Sequence, residues 1–144
     1  MRHTKHLWAL VLVPIALSAC RSPEPVARQF VMPPIESYSV STLQVRMDGR
    51  PEPLEGATVS REFFSAAEVR PFIGRFFEDR EYRTATPAVV VLDHELWQGR
   101  FHGAPNVIGT VLTVNDQPMT VIGVAEPGFA GPAGARVWMP RIER

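Results

Sequence analysis

Ala88-Val89-Val90-Val91-Leu92-Asp93-His94-Glu95-Leu96-Trp97-Gln98-Gly99-Arg100-Phe101-His102-Gly103 contains two kinds of order in sixteen residues. The valine-rich run Ala88 to Leu92 carries no polar residue, the mark of a strand buried on both faces. Asp93 then offers a carboxylate to the free amides of a helix start. Trp97 and Phe101, four apart, share one face of the helix that follows, and Gly103 suits its stop. Downstream, Thr110 to Val114 and Met119 to Val124 are two apolar runs separated by Asn115-Asp116-Gln117-Pro118, which reads as a β-hairpin. Val137-Trp138-Met139 is a last short strand before Pro140.

Upstream, Tyr38 to Met47 alternates well enough for a strand, and Asp48-Gly49-Arg50-Pro51 is a turn cluster. Pro53 predicts irregular chain up to a short strand at Ala57 to Val59. Ser60 is placed to cap a short helix that buries Phe63, Phe64 and Ala67. Val69 to Phe77, with Pro71 and Gly74, reads as extended chain, and the charged stretch Glu78 to Thr86 as a solvent loop. The sum is an α+β class: a small mixed sheet, two short helices and a C-terminal β-hairpin.

Composition narrows the function. The 144 residues have a formal net charge of +0 and are 45% hydrophobic, enough for one ordinary domain with a core. A balanced charge argues against nucleic acid as a partner, because that binding needs a basic face. The one cysteine excludes a disulfide framework and any Cys-based zinc finger.

That cysteine has a distinctive setting. Arg2, His3, Lys5 and His6 form a basic start, and Leu7 to Leu17 is an uncharged run broken only by Pro14. It is too short to span a bilayer, which takes about 20 apolar residues. The layout is that of a secretory signal, and Leu17-Ser18-Ala19-Cys20 resembles the bacterial lipobox. The resemblance implies cleavage after residue 19 and acylation of Cys20 in the membrane, giving a lipoprotein (palmitate among its chains) that faces the periplasm. Arg21, in place of an aspartate, leaves the inner and outer membranes both open as destinations. Residues 20–37, with Pro23, Pro25, Pro33 and Pro34, read as a semi-rigid tether, and residues 38–144 as the folded domain.

Several phrases in that domain are familiar. Val59-Ser60-Arg61-Glu62-Phe63-Phe64, then Val69-Arg70-Pro71 with Gly74-Arg75 and Phe77, form one block; Val89 to Leu92 with Leu96-Trp97-Gln98 and Arg100-Phe101 form another. Val107-Ile108-Gly109, Asn115, Thr120 to Val124, Pro127-Gly128-Phe129 and Val137 to Pro140 continue the series. In this order they resemble the MacB-like periplasmic core domain of FtsX-type ABC transporter permeases, in particular the orphan permease group. Two departures stand out. The family's hairpin turns on Asn-Gly, whereas this one has Asn115-Asp116, which leaves the turn type open. Its permeases also carry membrane helices beside the domain, and no comparable run follows residue 20 here.

The resemblance implies a non-enzymatic protein without a cofactor, acting by protein contact as an accessory of a transport or efflux complex. Its partners would be an ABC permease, a membrane fusion protein or a related core domain. Trp97 and Trp138 are the candidate contact residues, although tryptophans beside valine strands more often belong to a core. The alternative is a periplasmic carrier binding a lipid, peptide or drug-like ligand in an apolar cavity. A hydrolase built on Asp93, His94 and His102 is weaker still: the zinc-protease motif needs a second histidine at position 98, which is Gln98. Nucleophile elbows and phosphate-binding loops of the familiar patterns are absent from the sequence.

Overall fold

The computed structural model describes residues 28–86 and 88–144. The signal, Cys20 and the first part of the tether therefore lie outside the described residues.

Among the described residues seven strands form one mixed sheet: β1 (Tyr38–Arg46), β2 (Pro51–Val59), β3 (Pro71–Gly74), β4 (Val89–Leu92), β5 (Val111–Val114), β6 (Gln117–Ala125) and β7 (Val137–Pro140). Their order is β3-β6-β4-β7-β2-β1-β5. Because β5 also pairs with β6, six of the strands close into a ring and β3 is attached outside it. Aliphatic side chains from one face of these strands, among them Val45, Leu92, Leu112, Val121 and Val137, pack into one core, joined by Leu96 and Trp97. The opposite face buries a mainly aromatic cluster around Phe63, Phe64, Phe129 and Trp138.

The hairpin β5–β6 turns on two residues, Asn115 and Asp116, both at positive φ (48° and 65°). This is the requirement of the type I′ turn, so Asp116 occupies the position that glycine usually takes. Asn115 also ties the turn to β1: its Oδ1 accepts from the Gln44 amide and its own amide donates to the Gln44 carbonyl, both at 2.8 Å.

The α+β class and the mixed sheet stand as expected; four local expectations do not. First, β2 is nine residues long and runs straight through Pro51 and Pro53. Glu55, of the same parity, turns its carbonyl to the Arg136 amide on the β7 side. The prolines thus face that side too, and β7 covers β2 only from Gly56 onward. Their missing N–H groups have no strand to serve there.

Second, Ser60 does not cap a helix: its hydroxyl meets Glu62 (3.1 Å), and helix α1 (Phe63–Ala66) begins after Glu62. Third, the charged loop contains a further helix, α2 (Asp79–Tyr82), closed by a reciprocal capping box between Glu78 and Glu81, and it buries Glu81 and Tyr82. Helix α3 (His94–Phe101) follows the expectation: the Asp93 side chain accepts from the Leu96 amide, and the helix ends with His102 in the left-handed region.

Fourth, the tether is not a free spacer throughout. From Arg28 on, it is laid on the body. Arg28 pairs with Glu126 and donates to the Glu68 carbonyl, Phe30 packs edge-on against Phe129, and Arg141 holds the Glu36 carbonyl.

Candidate interaction surface

The edge of β6 is divided. Its first half pairs with β5, up to Thr120 opposite Val111; its last three residues pair with β3, from Gly123 opposite Gly74. Between these partners the sheet edge opens into a depression of about 460 Å³ lined by Gly74, Arg75, Ile108, Gly109, Val121 and Ile122. It is broad and open to solvent rather than enclosed.

Glycine makes the division possible. A Cβ on Gly74 (φ +69°) would lie 2.1 Å from the Ile122 carbonyl oxygen, and one on Gly123 would lie 2.1 Å from that of Arg75. The two chains cross in near-backbone contact, and the Arg75 amide donates to the Ile122 carbonyl at 3.0 Å. At the other end the Gly109 amide donates to the Val121 carbonyl at 2.8 Å. The backbone of the floor is thus paired. Ile108, in its lining, is exposed, as are Val111, opposite Thr120 of the lining, and Phe72, two residues before Gly74 in β3. Phe72, at the irregular register of β3, leans its ring on His94 (4.9 Å between centroids) and Trp97 (5.5 Å).

Arg75 lines the same depression and is fixed from below. Its guanidinium reaches both Glu81 oxygens, at 2.7 and 3.0 Å, and Glu81 also accepts from the Glu78 amide at 2.8 Å. Burial is the largest single influence on Glu81 and would raise its pKa. The Arg75 pair, the Glu78 amide and Arg80 together outweigh it and hold the carboxyl below the usual range.

The two candidate tryptophans are both buried. Trp97 lies in the aliphatic core and donates its Nε1 hydrogen to the Ala104 carbonyl at 2.9 Å. Trp138 lies in the aromatic cluster against Phe64 and Phe129, with no partner for Nε1 among the described residues. Room for its ring comes from Gly131, where a Cβ would fall 2.8 Å from it. Both pack inside the body and present no face to a partner.

Asp93, His94 and His102 are not brought together. Asp93 is spent on the helix cap, with Arg136 at 3.7 Å; burial pushes its carboxyl up, against the Leu96 amide and Arg136. His102 lies at the far end of α3, about 12 Å along the axis from His94 at 1.5 Å per residue. Among the described residues, no group of three His, Cys, Asp or Glu side chains is placed to hold a metal ion. No described helix is long and apolar enough to cross a membrane.

Sequence reasoning missed Phe72, Ile108 and Val111 as surface residues. A strand's hydrophobic side chain looks the same in sequence whether or not a neighbouring strand continues beside it.

Comparison with known proteins adds a family. The model of the MacB-like periplasmic core domain matches residues 12–144. Among solved structures, the extracellular domain of the noncanonic ABC-type transporter YknZ from Gram-positive bacteria superposes with a TM-score of 0.59 at 16% identity, covering 79% of this chain and 55% of that one. The periplasmic region of MacB from Actinobacillus actinomycetemcomitans gives 0.53 at 19% identity, covering 72% and 45%. At such identities the likeness is one of fold, and the chain spans about half the length of either structure. No curated protein matches the chain by sequence.

Proposed function

The chain belongs to the MacB-like periplasmic core domain family, and on that footing we propose that it is a lipid-anchored periplasmic protein that works by protein contact as an accessory of an ABC transporter complex. It performs no catalysis of its own. Cys20 carries the anchor, and the partner is a transporter permease, a membrane fusion protein or a related core domain.

The observation that supports contact over enclosure is the divided edge of β6. Ile108 is exposed in the lining of an open apolar floor whose backbone is already hydrogen-bonded, and the two strands beside it, β3 and β5, expose Phe72 and Val111. Exposed apolar side chains on a rigid sheet edge suit a protein face, whereas a carrier for a lipid or drug-like ligand would surround most of its cargo.

The test is affinity recovery of the tagged, membrane-extracted protein beside the Phe72→Asp/Val111→Asp double variant. The native protein is expected to bring down a transporter component, and the variant to lose it at least tenfold while folding normally. Recovery of no transporter component, or equal recovery by both proteins, overturns the reading. Mass spectrometry of the mature protein checks the anchor: a free thiol at Cys20 rejects it.

A further inference from the structure

The second exposed apolar group lies on the strap that runs over the body before β1. Val31, Met32 and Ile35 are 49%, 66% and 78% exposed, within five residues of one another. They do not line the depression at the divided edge. The strap is pinned on both sides of them. Upstream, Arg28 bridges Glu126 (2.8 Å) and the Glu68 carbonyl (2.7 Å), and Phe30 packs on Phe129 with centroids 5.4 Å apart. Downstream, Arg141 holds the Glu36 carbonyl (2.7 Å), and the Ser60 amide donates to Ser37 (2.7 Å).

These clamps shorten the link to the membrane. Arg28 lies eight positions after Cys20, a span that reaches at most about 29 Å when fully extended. Were the chain free as far as Tyr38, the limit would be about 65 Å. A body of this size has a radius of gyration of about 13 Å and is thus roughly 34 Å across. An acylated Cys20 therefore holds the upstream end of the strap, at Arg28, within less than one body width of the lipid.

We propose that Val31, Met32 and Ile35 form a ridge that rests in the headgroup layer of the bilayer holding Cys20, so that the domain sits on the membrane in one orientation. The proposal rests on the lipid-anchor reading. A short link favours the surface beside it by effective concentration, and binding at a lipid interface grows with the apolar area that is buried there. The divided edge would then be carried at a fixed height and angle for its partner.

The experiment uses the lipidated full-length protein in phosphatidylethanolamine–phosphatidylglycerol vesicles. Cys20 is the chain's one cysteine, so once it is acylated a Met32→Cys substitution gives a unique thiol for an environment-sensitive fluorophore; Val111→Cys is the control. Acylation is confirmed by mass on the same sample. The label at 32 is expected to be quenched by nitroxide lipid and to be several-fold less sensitive to iodide than the label at 111. Adding Val31→Asp and Ile35→Asp should return it to water. With Cys20 shown to be acylated, a label at 32 as open to iodide as that at 111 overturns the ridge and leaves the anchor standing. A label reached by neither quencher means that a protein covers the strap, which also overturns it. A free Cys20 thiol overturns the anchor and this proposal together.

Discussion

The two exposed apolar groups are similar in character and opposite in construction. Val111 lies in β5 opposite Thr120 of β6, Phe72 lies in β3 between residues paired with β6, and Ile108 adjoins Gly109, whose amide donates to Val121 of β6. Val31, Met32 and Ile35 lie on chain that pairs with no strand and is held by arginine side chains, Phe30 and the Ser60–Ser37 bond. Moving the first group means breaking the sheet; moving the second means peeling a strap. A rigid patch favours one partner of fixed shape, because little ordering entropy is lost on binding. A strap can adapt to a surface that has no fixed shape, as a lipid interface has none.

The widest gap between the regions should appear at the glycine crossing. Alanine at Gly74 or Gly123 drives a methyl to 2.1 Å from a backbone carbonyl oxygen, and neither chain can give way without losing β3. Overpacking of this kind and the positive φ at Gly74 together cost about 3 kcal/mol or more. Gly109 is the internal control: its φ is +90°, but nothing lies within 4 Å of a Cβ there. Its replacement by alanine should cost only the backbone penalty, about 1–2 kcal/mol. Urea midpoints for the three variants decide the matter. Equal losses at Gly109 and Gly123 would show that the crossing does not lock the edge.

Much of this architecture was legible in sequence where the signal is local. The valine run of β4, the Asp93 cap and the paired apolar runs of β5 and β6 each depend on residues a few positions apart. What escaped depends on where some other strand ends. Pro51 and Pro53 looked like breakers because sequence does not show that β7 reaches β2 only at Gly56. Trp138 stayed a contact candidate because the space for its ring is made by Gly131, in a loop. Tyr82 was the available hint in the charged stretch, an aromatic residue among carboxylates and arginines, and it is buried. The strap gave no warning at all: Arg28 and Phe30 find Glu126 and Phe129 about a hundred positions later.

The clamp under the divided edge also separates the regions by pH. Glu81 has a folded pKa below its ordinary value. Its contribution is therefore fully present above the unfolded carboxylate value of about 4.3 and disappears as pH falls through the lower folded value. Native stability should decline in acid from about pH 5 downward, and Glu81→Gln should flatten that limb. At neutral pH the same variant should lose about 1–2 kcal/mol, the worth of hydrogen bonds to a charged partner reduced by the solvent around Arg75. An acid limb identical in both proteins would remove Glu81 from the account.

The smallest effect is expected at the strap, and its smallness matters. Arg28 and Glu126 meet at 2.8 Å with the arginine well exposed, so Arg28→Ala should change global stability by less than about 1 kcal/mol. Glu126 keeps its other bond, from the Arg70 amide at 2.8 Å, and the body beneath should be unaltered. Local order should change far more: a nitroxide at Met32→Cys, in an otherwise Cys20→Ser protein, should show a sharper, more mobile spectrum once Arg28 is gone. Phe30 on Phe129 would then be the chief contact left upstream of the ridge. If Arg28→Ala instead lowered the urea midpoint as far as Gly74→Ala does, the strap would be part of the framework, and its ridge would be as rigid a surface as the divided edge.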